Sequence, residues 1–475
     1  MKATRIVNYL RSGFSLFWMS TFEPNRVREN IYEMIKSYER KDGNQYKIID
    51  WTMAKEANPL KALQELTAAD PFTILFAHNF HWFSDKPPIV QYIQDMIPQW
   101  QAQGKAFVSV SPVEKIPVEL SKDFVLMEFN LPDKDEIITS IHRVMPDDSE
   151  IPNKEVDQIV DSCRGLTRAE VEATLSLAWV EMEGKGFDIQ TINEYKAQAI
   201  MKTGFLEVLQ PIVTFADVIG YGNIKQFVLD TINNPKAKGI MTIGPPGCCK
   251  TTLMKAIVAE TGKFGLSVSM GNLFSKFQGE TDQRVKQTID LIRSIGPCLV
   301  LIDEFEKQFA GSGSDGSLDS GTTKRATSKW LDFLQDRPDG VYIVGTANSF
   351  VGIPPEYLRP GRWDSSPFFL DLPTDRMKRK ILEHYCKKAD IKIPKKAYNL
   401  LLMDKYSGAE VEALVHIASM RSISLYEAEK CVIATAKTSE DSITALREWA
   451  KDRTIPAEAV PGLKAINGGK RNLDV

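Results

Sequence analysis

The sequence lacks the features that mark membrane, secreted and zinc-binding proteins. No apolar run reaches the roughly 18 residues of a membrane-spanning helix. The six cysteines form neither a C-x-x-C pair nor the spacing of a disulfide framework, and the five histidines are scattered. We therefore expect no membrane partner, no zinc site, and a location in the cytoplasm or an equivalent reducing compartment of a host cell.

A surplus of positive charge is also lacking. The formal net charge is −3, with 43% hydrophobic and 25% charged residues. This composition is ordinary for a globular protein and does not favour a constitutive nucleic-acid binder. A length of 475 residues is enough for two or three domains.

The stretch 239–252 carries the strongest chemical signal, because it predicts a buried strand, a glycine-proline loop and the start of a helix. The pattern G-x-x-x-x-G-K-[ST] is met, except at its second glycine, by Gly244, Pro245, Pro246, Gly247, Cys248, Cys249, Lys250 and Thr251, which Thr252 follows. Such a loop surrounds a polyphosphate with backbone N–H groups. Lys250 would reach the outer phosphates and Thr251 would hold Mg²⁺. A strand, loop and helix with an incidental Lys-Thr is the alternative.

Two acids follow a second predicted strand. Five apolar residues, Cys298–Ile302, lead directly to Asp303 and Glu304. Asp303 would join Thr251 at the Mg²⁺ ion, and Glu304 would activate a water molecule as general base. Asn348 ends the next predicted strand, where its amide could orient water or contact the γ-phosphate. A simple turn asparagine is the alternative.

Arg359 and Arg362 flank a Pro-Gly corner. Guanidinium groups bind phosphate in a fixed fork, so this pair suits phosphate contact across a subunit boundary. Solvated surface arginines are the alternative.

The two halves of the chain look like distant copies of each other. Five short matches occur in the same order, among them 20–26 with 244–250, 72–80 with 297–305 and 169–173 with 409–413, at offsets of 224, 225 and 240 residues. A duplicated domain explains this order better than chance. The first copy has no glycine in its loop, and Glu23 would repel phosphate. His78 and Asn79 stand where the second copy has Asp303 and Glu304. We therefore predict that the first copy does not bind nucleotide.

With these motifs in place, residues 215–414 resemble the AAA+ ATPases, in particular the AAA subfamily with its second region of homology. The resemblance implies that adenine is read by Val218, Ile219 and Gly220, and that the helical lid begins at Gly408 and Ala409 over the nucleotide. It implies a pore loop that grips a threaded polypeptide at Lys276, Phe277, Gln278 and Gly279. It also makes Asn348 the sensor of the γ-phosphate, and Arg359 and Arg362 arginine fingers. A core aromatic is the alternative for Phe277.

A closer resemblance covers nearly the whole chain. The segments 21–23, 303–307, 319–323 and 447–450 are similar to the hypothetical chloroplast and cyanobacterial reading-frame AAA+ proteins, whose relatives also occur in bacteria and phages. That family implies a degenerate N-terminal ATPase-like domain before the active one.

Two residues depart from the family pattern. Cys249 stands where the loop normally has glycine, and a required positive φ there would cost on the order of 1 kcal/mol. The neighbouring Cys248 and Cys249 could make the loop sensitive to oxidation, with two buried reduced thiols as the alternative. Gln278 replaces the usual aliphatic residue, which weakens the case for threading.

The sequence therefore predicts an α/β protein of tandem P-loop architecture, with a degenerate copy, an active parallel-sheet domain and a helical lid. The predicted boundaries are 1–200, 205–375, 376–456 and a flexible tail at 457–475. The predicted function is ATP and Mg²⁺ binding, hydrolysis within a homohexameric ring, and remodelling of a protein substrate. A nucleotide-dependent scaffold with low turnover is the alternative, and a nucleic-acid translocase is less favoured.

Overall fold

Parallel strands linked by helices form the cores of both halves of the chain. Contacts between residues divide it into two compact units, 1–192 and 193–475. The division falls within the helix Ile189–Met201, ahead of the predicted boundary at residue 200. This computed structural model describes residues 5–36, 46–146, 151–202, 204–268, 273, 281–309, 320–350, 353–359, 361–394 and 401–458.

The first unit is built on a parallel sheet. Among its described residues the strands are β1 (Leu16–Ser20), β2 (Lys47–Trp51), β3 (Thr73–His78), β4 (Ala106–Ser111) and β5 (Phe124–Glu128). Their order across the sheet is β2-β3-β4-β1-β5. Leu16 of β1 lies opposite Phe107 of β4 on one side and Phe124 of β5 on the other. The central strands are buried nearly throughout, because helices cover both faces of a parallel sheet.

Helices alternate with these strands and then form a group of their own. They are α1 (Ile6–Arg11), α2 (Pro24–Lys36), α3 (Pro59–Ala68), α4 (Pro87–Ala102), α5 (Lys134–Val144), α6 (Asn153–Cys163), α7 (Arg168–Glu181) and α8 (Ile189–Met201). Capping boxes start α5 at Asp133 and α7 at Thr167, where each N-cap side chain accepts from the N3 backbone. The starts of these two helices are therefore fixed by local sequence.

The second unit also has a sheet at its centre. Its described strands are β6 (Leu206–Val208), β7 (Gly239–Ile243), β8 (Gly265–Val268), β9 (Cys298–Ile302), β10 (Val341–Ala347), β11 (Phe368–Phe369) and β12 (Ile455–Pro456). The order is β12-β11-β7-β10-β9-β8-β6. All described neighbours are parallel except β6 and β8, which are antiparallel.

The helices of the second unit cover this sheet and then form a separate cluster. They are α9 (Gly222–Thr231), α10 (Lys250–Thr261), α11 (Thr281–Ile295), α12 (Ser320–Gln335), α13 (Asp375–Lys388), α14 (Gly408–Arg421), α15 (Leu425–Glu429), α16 (Thr435–Thr438) and α17 (Glu440–Ala450). Leu382, Leu414 and Leu425 belong to an apolar core that α13, α14 and α15 share. This cluster follows β11, where the helical lid is predicted. No helix in the described parts of the chain is long and apolar enough to cross a membrane.

The two sheets share one strand order. If β7 to β11 are counted as the first to fifth strands of the second unit, both sheets run second, third, fourth, first, fifth. In each sheet the first strand lies between the fourth and the fifth. The connections that leave the carboxyl ends of the first and fourth strands therefore run in opposite directions across the sheet. Ligands of parallel α/β sheets bind at this point. The tandem layout predicted from the repeat agrees with this shared topology.

Three short strands of the second unit were not predicted. β6 and β12 have three and two residues, too few for a periodic signal, and β8 has four. β12 adds to the edge of the sheet beside β11, and Ala457 directly after it is fully buried. The carboxylate of Glu458 accepts a hydrogen bond from the backbone of Tyr221. The predicted start of the tail at residue 457 thus falls inside a packed segment.

Candidate active site

The loop between β7 and α10 is shaped by close contacts that exclude side chains. A Cβ added at Gly244 would lie 2.1 Å from the carbonyl oxygen of Leu370. Gly247 has a φ of +80°, and a Cβ there would lie 2.4 Å from Oγ of Ser407. Both positions therefore require glycine, and the loop is held against the residue that caps α14.

Cys249 adopts a left-handed conformation, with φ of 55° and ψ of 24°. The residue predicted to replace a glycine therefore occupies a position that favours glycine, at a cost of about 1 kcal/mol. A Cβ added at Gly408 would lie 3.0 Å from Cys249 Sγ, which places the thiol against the start of α14. Burial raises the pKa of Cys249, and it raises the pKa of Cys248 to about 12. Both thiols stay protonated at neutral pH, which favours the alternative of unreactive buried thiols.

Lys250 is the first residue of α10 and is buried. Its Nζ donates to the carbonyl oxygens of Gly244 at 2.8 Å and Pro245 at 2.7 Å. Burial lowers the pKa of Lys250. The ammonium group is thus kept inside the loop by two acceptors that a phosphate group could replace.

Thr251 and Asp303 meet at the carboxyl edge of the sheet. Thr251 Oγ1 donates to Asp303 Oδ2 at 2.9 Å, although the two residues are 52 positions apart. Thr346, near the end of β10, donates its hydroxyl to Oδ1 of the same carboxylate. A hydroxyl and a carboxylate oxygen are the hard ligands that Mg²⁺ takes when phosphates and water supply the others. No cluster of three His, Cys, Asp or Glu suited to a metal occurs among the described residues, and a phosphate-bridged Mg²⁺ does not need one.

Glu304 follows Asp303 in a left-handed conformation, with φ of 52°. A glutamate held there is strained, and such strain is concentrated at functional sites. Its backbone N–H donates to Asp303 Oδ1 at 3.1 Å and to Thr346 Oγ1 at 3.2 Å. Its carboxylate contacts Lys307 Nζ at 2.6 Å. This hydrogen bond raises the pKa of Lys307.

Asn348 lies directly after β10, next to the two acids. Its backbone N–H donates to Oε1 of Glu306 at 3.0 Å. The other oxygen of Glu306 is buried and has no hydrogen-bond partner among the described residues. Glu306 therefore ties the turn after β9 to the end of β10, and it orients the backbone from which the Asn348 side chain projects.

The segment predicted to read adenine approaches the loop from α9. Val218 is buried in a cluster with Cys248, and Gly220 has a φ of +87°. The hydroxyl of Tyr221 donates to the carbonyl oxygen of Cys248 at 3.1 Å. From the other side, the N–H of Ala409 in the first turn of α14 donates to the carbonyl oxygen of Gly247 at 3.3 Å. Base segment, phosphate loop and lid thus converge.

Of the two predicted arginine fingers, Arg362 lies near the opposite end of β7. The Asp364 carboxylate accepts from the backbone N–H groups of Lys238 and Gly239, where β7 begins, at 2.7 to 2.9 Å. The phosphate loop begins where β7 ends, about 16 Å away along five residues. Arg359 is exposed, and Arg362 is partly exposed, with Nε and Nη1 buried and unpartnered among the described residues.

Comparison with known proteins finds a match to a family model in each unit. Residues 240–369 match the family model described as "ATPase family associated with various cellular activities (AAA)". The chain carries an AAA ATPase domain. Residues 2–129 match the SpoVK-like AAA ATPase N-terminal domain, and residues 135–203 match the second domain of that family. Together these matches cover both units and agree with the tandem layout.

Some relatives match this chain over nearly its full length. The chain is 27% identical over 480 residues to the uncharacterized AAA domain-containing protein ycf46 of Guillardia theta, covering 93% of each chain. It is 27% identical over 481 residues to the ycf46 protein of Pyropia yezoensis, covering 93% of this chain and 96% of that one. The cell division cycle protein 48 homolog of Archaeoglobus fulgidus is 25% identical over 362 residues, covering 66% of this chain and 47% of that one. The similarity to the plastid and algal type agrees with the resemblance stated from the motifs.

Within the AAA domain, the structure brings most of the predicted site residues together. The loop residues, Asp303, Glu304 and the backbone of Asn348 surround one edge of the sheet, and the start of α14 closes over them. Arg362 lies apart from them. The predicted pore-loop residues Lys276, Phe277, Gln278 and Gly279 lie outside the described residues.

Two residues of the site had no role in the sequence prediction. Thr346 donates to the carboxylate of Asp303, and Glu306 accepts from the backbone of Asn348. Glu306 could have been found from its position two residues after Glu304. The role of Thr346 depends on β9 and β10 being neighbours, and the motif alone does not fix that.

Proposed function

We propose that this chain hydrolyses ATP, assembles into a homohexameric ring and uses the ATPase cycle to remodel a protein substrate. The observation that carries the proposal is the meeting of Lys250, Thr251 and Asp303 at the carboxyl edge of the sheet, with the strained Glu304 beside them. A phosphate loop, a metal-binding pair and a general base are the parts that phosphoryl transfer to water requires.

Each residue has a task that follows from its contacts. Lys250 exchanges the carbonyl oxygens of Gly244 and Pro245 for phosphate oxygens. Thr251 and Asp303 would hold Mg²⁺, which neutralises charge on the phosphates when bound. Glu304 exchanges Lys307 for the attacking water and accepts its proton.

The position of Arg362 supports the ring. It lies near the amino end of β7, because Asp364 two residues later accepts from the backbone there, and the phosphate loop follows the other end of this strand. In a ring, Arg362 and the nearby Arg359 would approach the loop of the neighbouring subunit. Arg362 has two buried nitrogens without a partner among the described residues, and an anion from that neighbour would satisfy them.

A mixing experiment tests the shared site. Glu304→Gln subunits keep their arginines, and Arg359→Ala subunits keep their acids, so each variant alone should be inactive. Mixed rings should regain part of the turnover, because an intact site then meets an intact arginine. Arg376→Ala, an exposed arginine of α13, is the matched control and should resemble the wild type. Full activity of Arg359→Ala alone, independent of protein concentration, would contradict the shared site.

The remodelling step rests on the resemblance of residues 275–280 to a pore loop. Phe277→Ala should abolish the unfolding of a protein substrate and leave ATP turnover intact. Tyr426→Ala, an exposed aromatic of the lid, is its control. Equal remodelling by the Phe277 variant would remove this part of the proposal.

One observation favours the second candidate, an assembly scaffold with low turnover. Cys249 places a strained side chain between the phosphate loop and the start of α14. If the scaffold is right, the wild type will bind ATP and assemble with little hydrolysis, and Cys249→Gly will increase turnover. High turnover by the wild type excludes it.

A further inference from the structure

The loop after β1 in the first unit corresponds in place to the phosphate loop of the second. β1 and β7 hold the same position in the shared strand order. At the repeat offset of 224 residues, Glu23 corresponds to Gly247 and Arg26 to Lys250. The first unit therefore has a carboxylate and a guanidinium where the second has an open glycine and an ammonium.

The start of α7 corresponds in the same way to the start of α14. At the offset of 240 residues, Thr167 matches Ser407 and Arg168 matches Gly408. Both helices begin with a capping box, and both starts contact the loop of their own unit. In the second unit, this contact is the backbone bond from Ala409 to Gly247.

In the first unit a side chain makes the contact. Oε1 of Glu23 accepts a hydrogen bond from the backbone N–H of Arg168 at 2.5 Å. Oε2 of Glu23 accepts from Arg26 Nη1 at 2.7 Å, and both side chains are nearly inaccessible, at 7% and 5% exposure. Glu23 directly precedes α2, so its carboxylate lies at the positive ends of two helices.

Each of the three nitrogens of the Arg26 guanidinium has an acceptor. Nη1 also donates to the carbonyl oxygen of Asn130 at 2.9 Å, and Nε and Nη2 donate to the carboxylate of Glu136. Burial raises the pKa of Glu136, but the hydrogen bonds and charge of Arg26 lower it overall. A buried ion pair stabilises a fold only when further hydrogen bonds accompany it, and here four hydrogen bonds hold Arg26.

We propose that Glu23 is a built-in substitute for a phosphate group, which holds the lid helix α7 on the sheet of the first unit without any nucleotide. A basic side chain and the N–H groups of a helix start are the donors that a phosphate would use. The first unit is therefore fixed in one closed arrangement and does not follow the ATPase cycle. Glu23, Arg26 and the start of α7 all lie within the first unit, and the independence from an ATPase cycle rests on the function proposed for the second.

Hydrogen exchange of the full chain tests the contact. Glu23→Ala should speed exchange of the Arg168 amide about tenfold or more, because the N–H loses a charged acceptor. Glu29→Ala is the matched control, since Glu29 pairs with the Arg168 side chain at 2.7 Å and not with its backbone. Inorganic phosphate should restore protection in Glu23→Ala and have no effect on this amide in the wild type. Equal exchange in Glu23→Ala and Glu29→Ala, or no effect of phosphate on the Glu23 variant, would overturn the proposal.

A second pair of variants keeps Glu23 in place. Arg168 is the first residue of α7, where proline is well tolerated, and Thr167 already has the extended backbone that precedes proline. Arg168→Pro removes the N–H donor, whereas Arg168→Ala removes only the side chain. The Pro variant should show faster exchange along α7 than the Ala variant, and the difference should disappear when both carry Glu23→Ala. A difference that persists without Glu23 contradicts the proposal.

Discussion

The two units have one strand order and different residues at the edge where a ligand would bind. After β7, the open loop leaves Lys250 with backbone acceptors that a phosphate can replace. After β1, Glu23 and Arg26 satisfy each other and the start of α7. One fold thus supplies a position for chemistry twice, and a few side chains decide whether that position is used or filled.

The strand that carries the acids shows the same contrast. His78 and Asn79 stand in the first unit where Asp303 and Glu304 stand in the second, at an offset of 225 residues. Asn79 and Glu304 are both left-handed, with φ of 54° and 52°. Asparagine tolerates this conformation and glutamate is strained by it. Burial lowers the pKa of His78, so this position offers no charge to a metal-bound phosphate. The backbone is preserved and the chemistry is not.

The largest effect on ATP turnover is expected from substitution of Glu304 in the second unit. Glu304→Gln should reduce ATP turnover by about 10³-fold, because it removes the general base, and should leave ATP binding in place. Asn79→Asp puts a carboxylate at the equivalent position of the first unit and should leave turnover unchanged. Steady-state hydrolysis and equilibrium nucleotide binding measure both. An equal loss of ATP turnover in both variants would show that the two units contribute alike to hydrolysis, which contradicts the contrast drawn between them.

Substitution of the basic residue should have a different effect in each of the two loops. Arg26→Met leaves the carboxylates of Glu23 and Glu136 without their partner and should destabilise the first unit by about 3–5 kcal/mol. Lys250→Met should instead abolish ATP binding. Urea unfolding, followed by hydrogen exchange in each unit, separates the two results. An Arg26 variant as stable as the wild type would show that this ion pair is unimportant.

A smaller effect should come from the left-handed cysteine. Cys249→Gly should stabilise the second unit by at most about 0.5 kcal/mol, because the added chain entropy of glycine offsets much of the roughly 1 kcal/mol of strain that is relieved. Cys249→Ala removes the thiol and keeps the Cβ, so it should give no gain. Urea midpoints report the difference. A gain of equal size in both variants would assign the effect to the thiol and not to the backbone.

The smallest effect concerns acid stability of the first unit. The pKa of Glu136 lies below its ordinary value of 4.5 in the folded protein. Its ionised form therefore stabilises the fold fully above that value, and this contribution is lost as the pH falls through the folded-state pKa. The free energy of unfolding of the first unit should decline on acidification, and Glu136→Gln should decline less steeply. Identical slopes would contradict the assignment.

Much of the fold and most of the site could be predicted from the sequence. The strand Cys298–Ile302 was predicted with its observed bounds, and the carboxyl ends of parallel strands had to bring Asp303 and Thr251 to one edge. The short strands β6 and β12 could not be predicted, because two or three residues carry no periodicity. The role of Glu306 depends on how a turn after one strand reaches the end of its neighbour.

The residues that could do chemistry, and the strand that each of them follows, can be recognised in the amino-acid sequence alone. Apolar runs, glycines and capping residues act over a few positions, so they can be read locally. Only the tertiary structure decided that Glu23 meets the backbone of Arg168, 145 positions away, and that Cys249 lies in a left-handed turn against the lid. Such contacts arise from the packing of distant segments, and no local pattern encodes them. Glu23, which the sequence analysis identifies only as a residue that would repel phosphate, thus contacts the start of α7 in the folded protein.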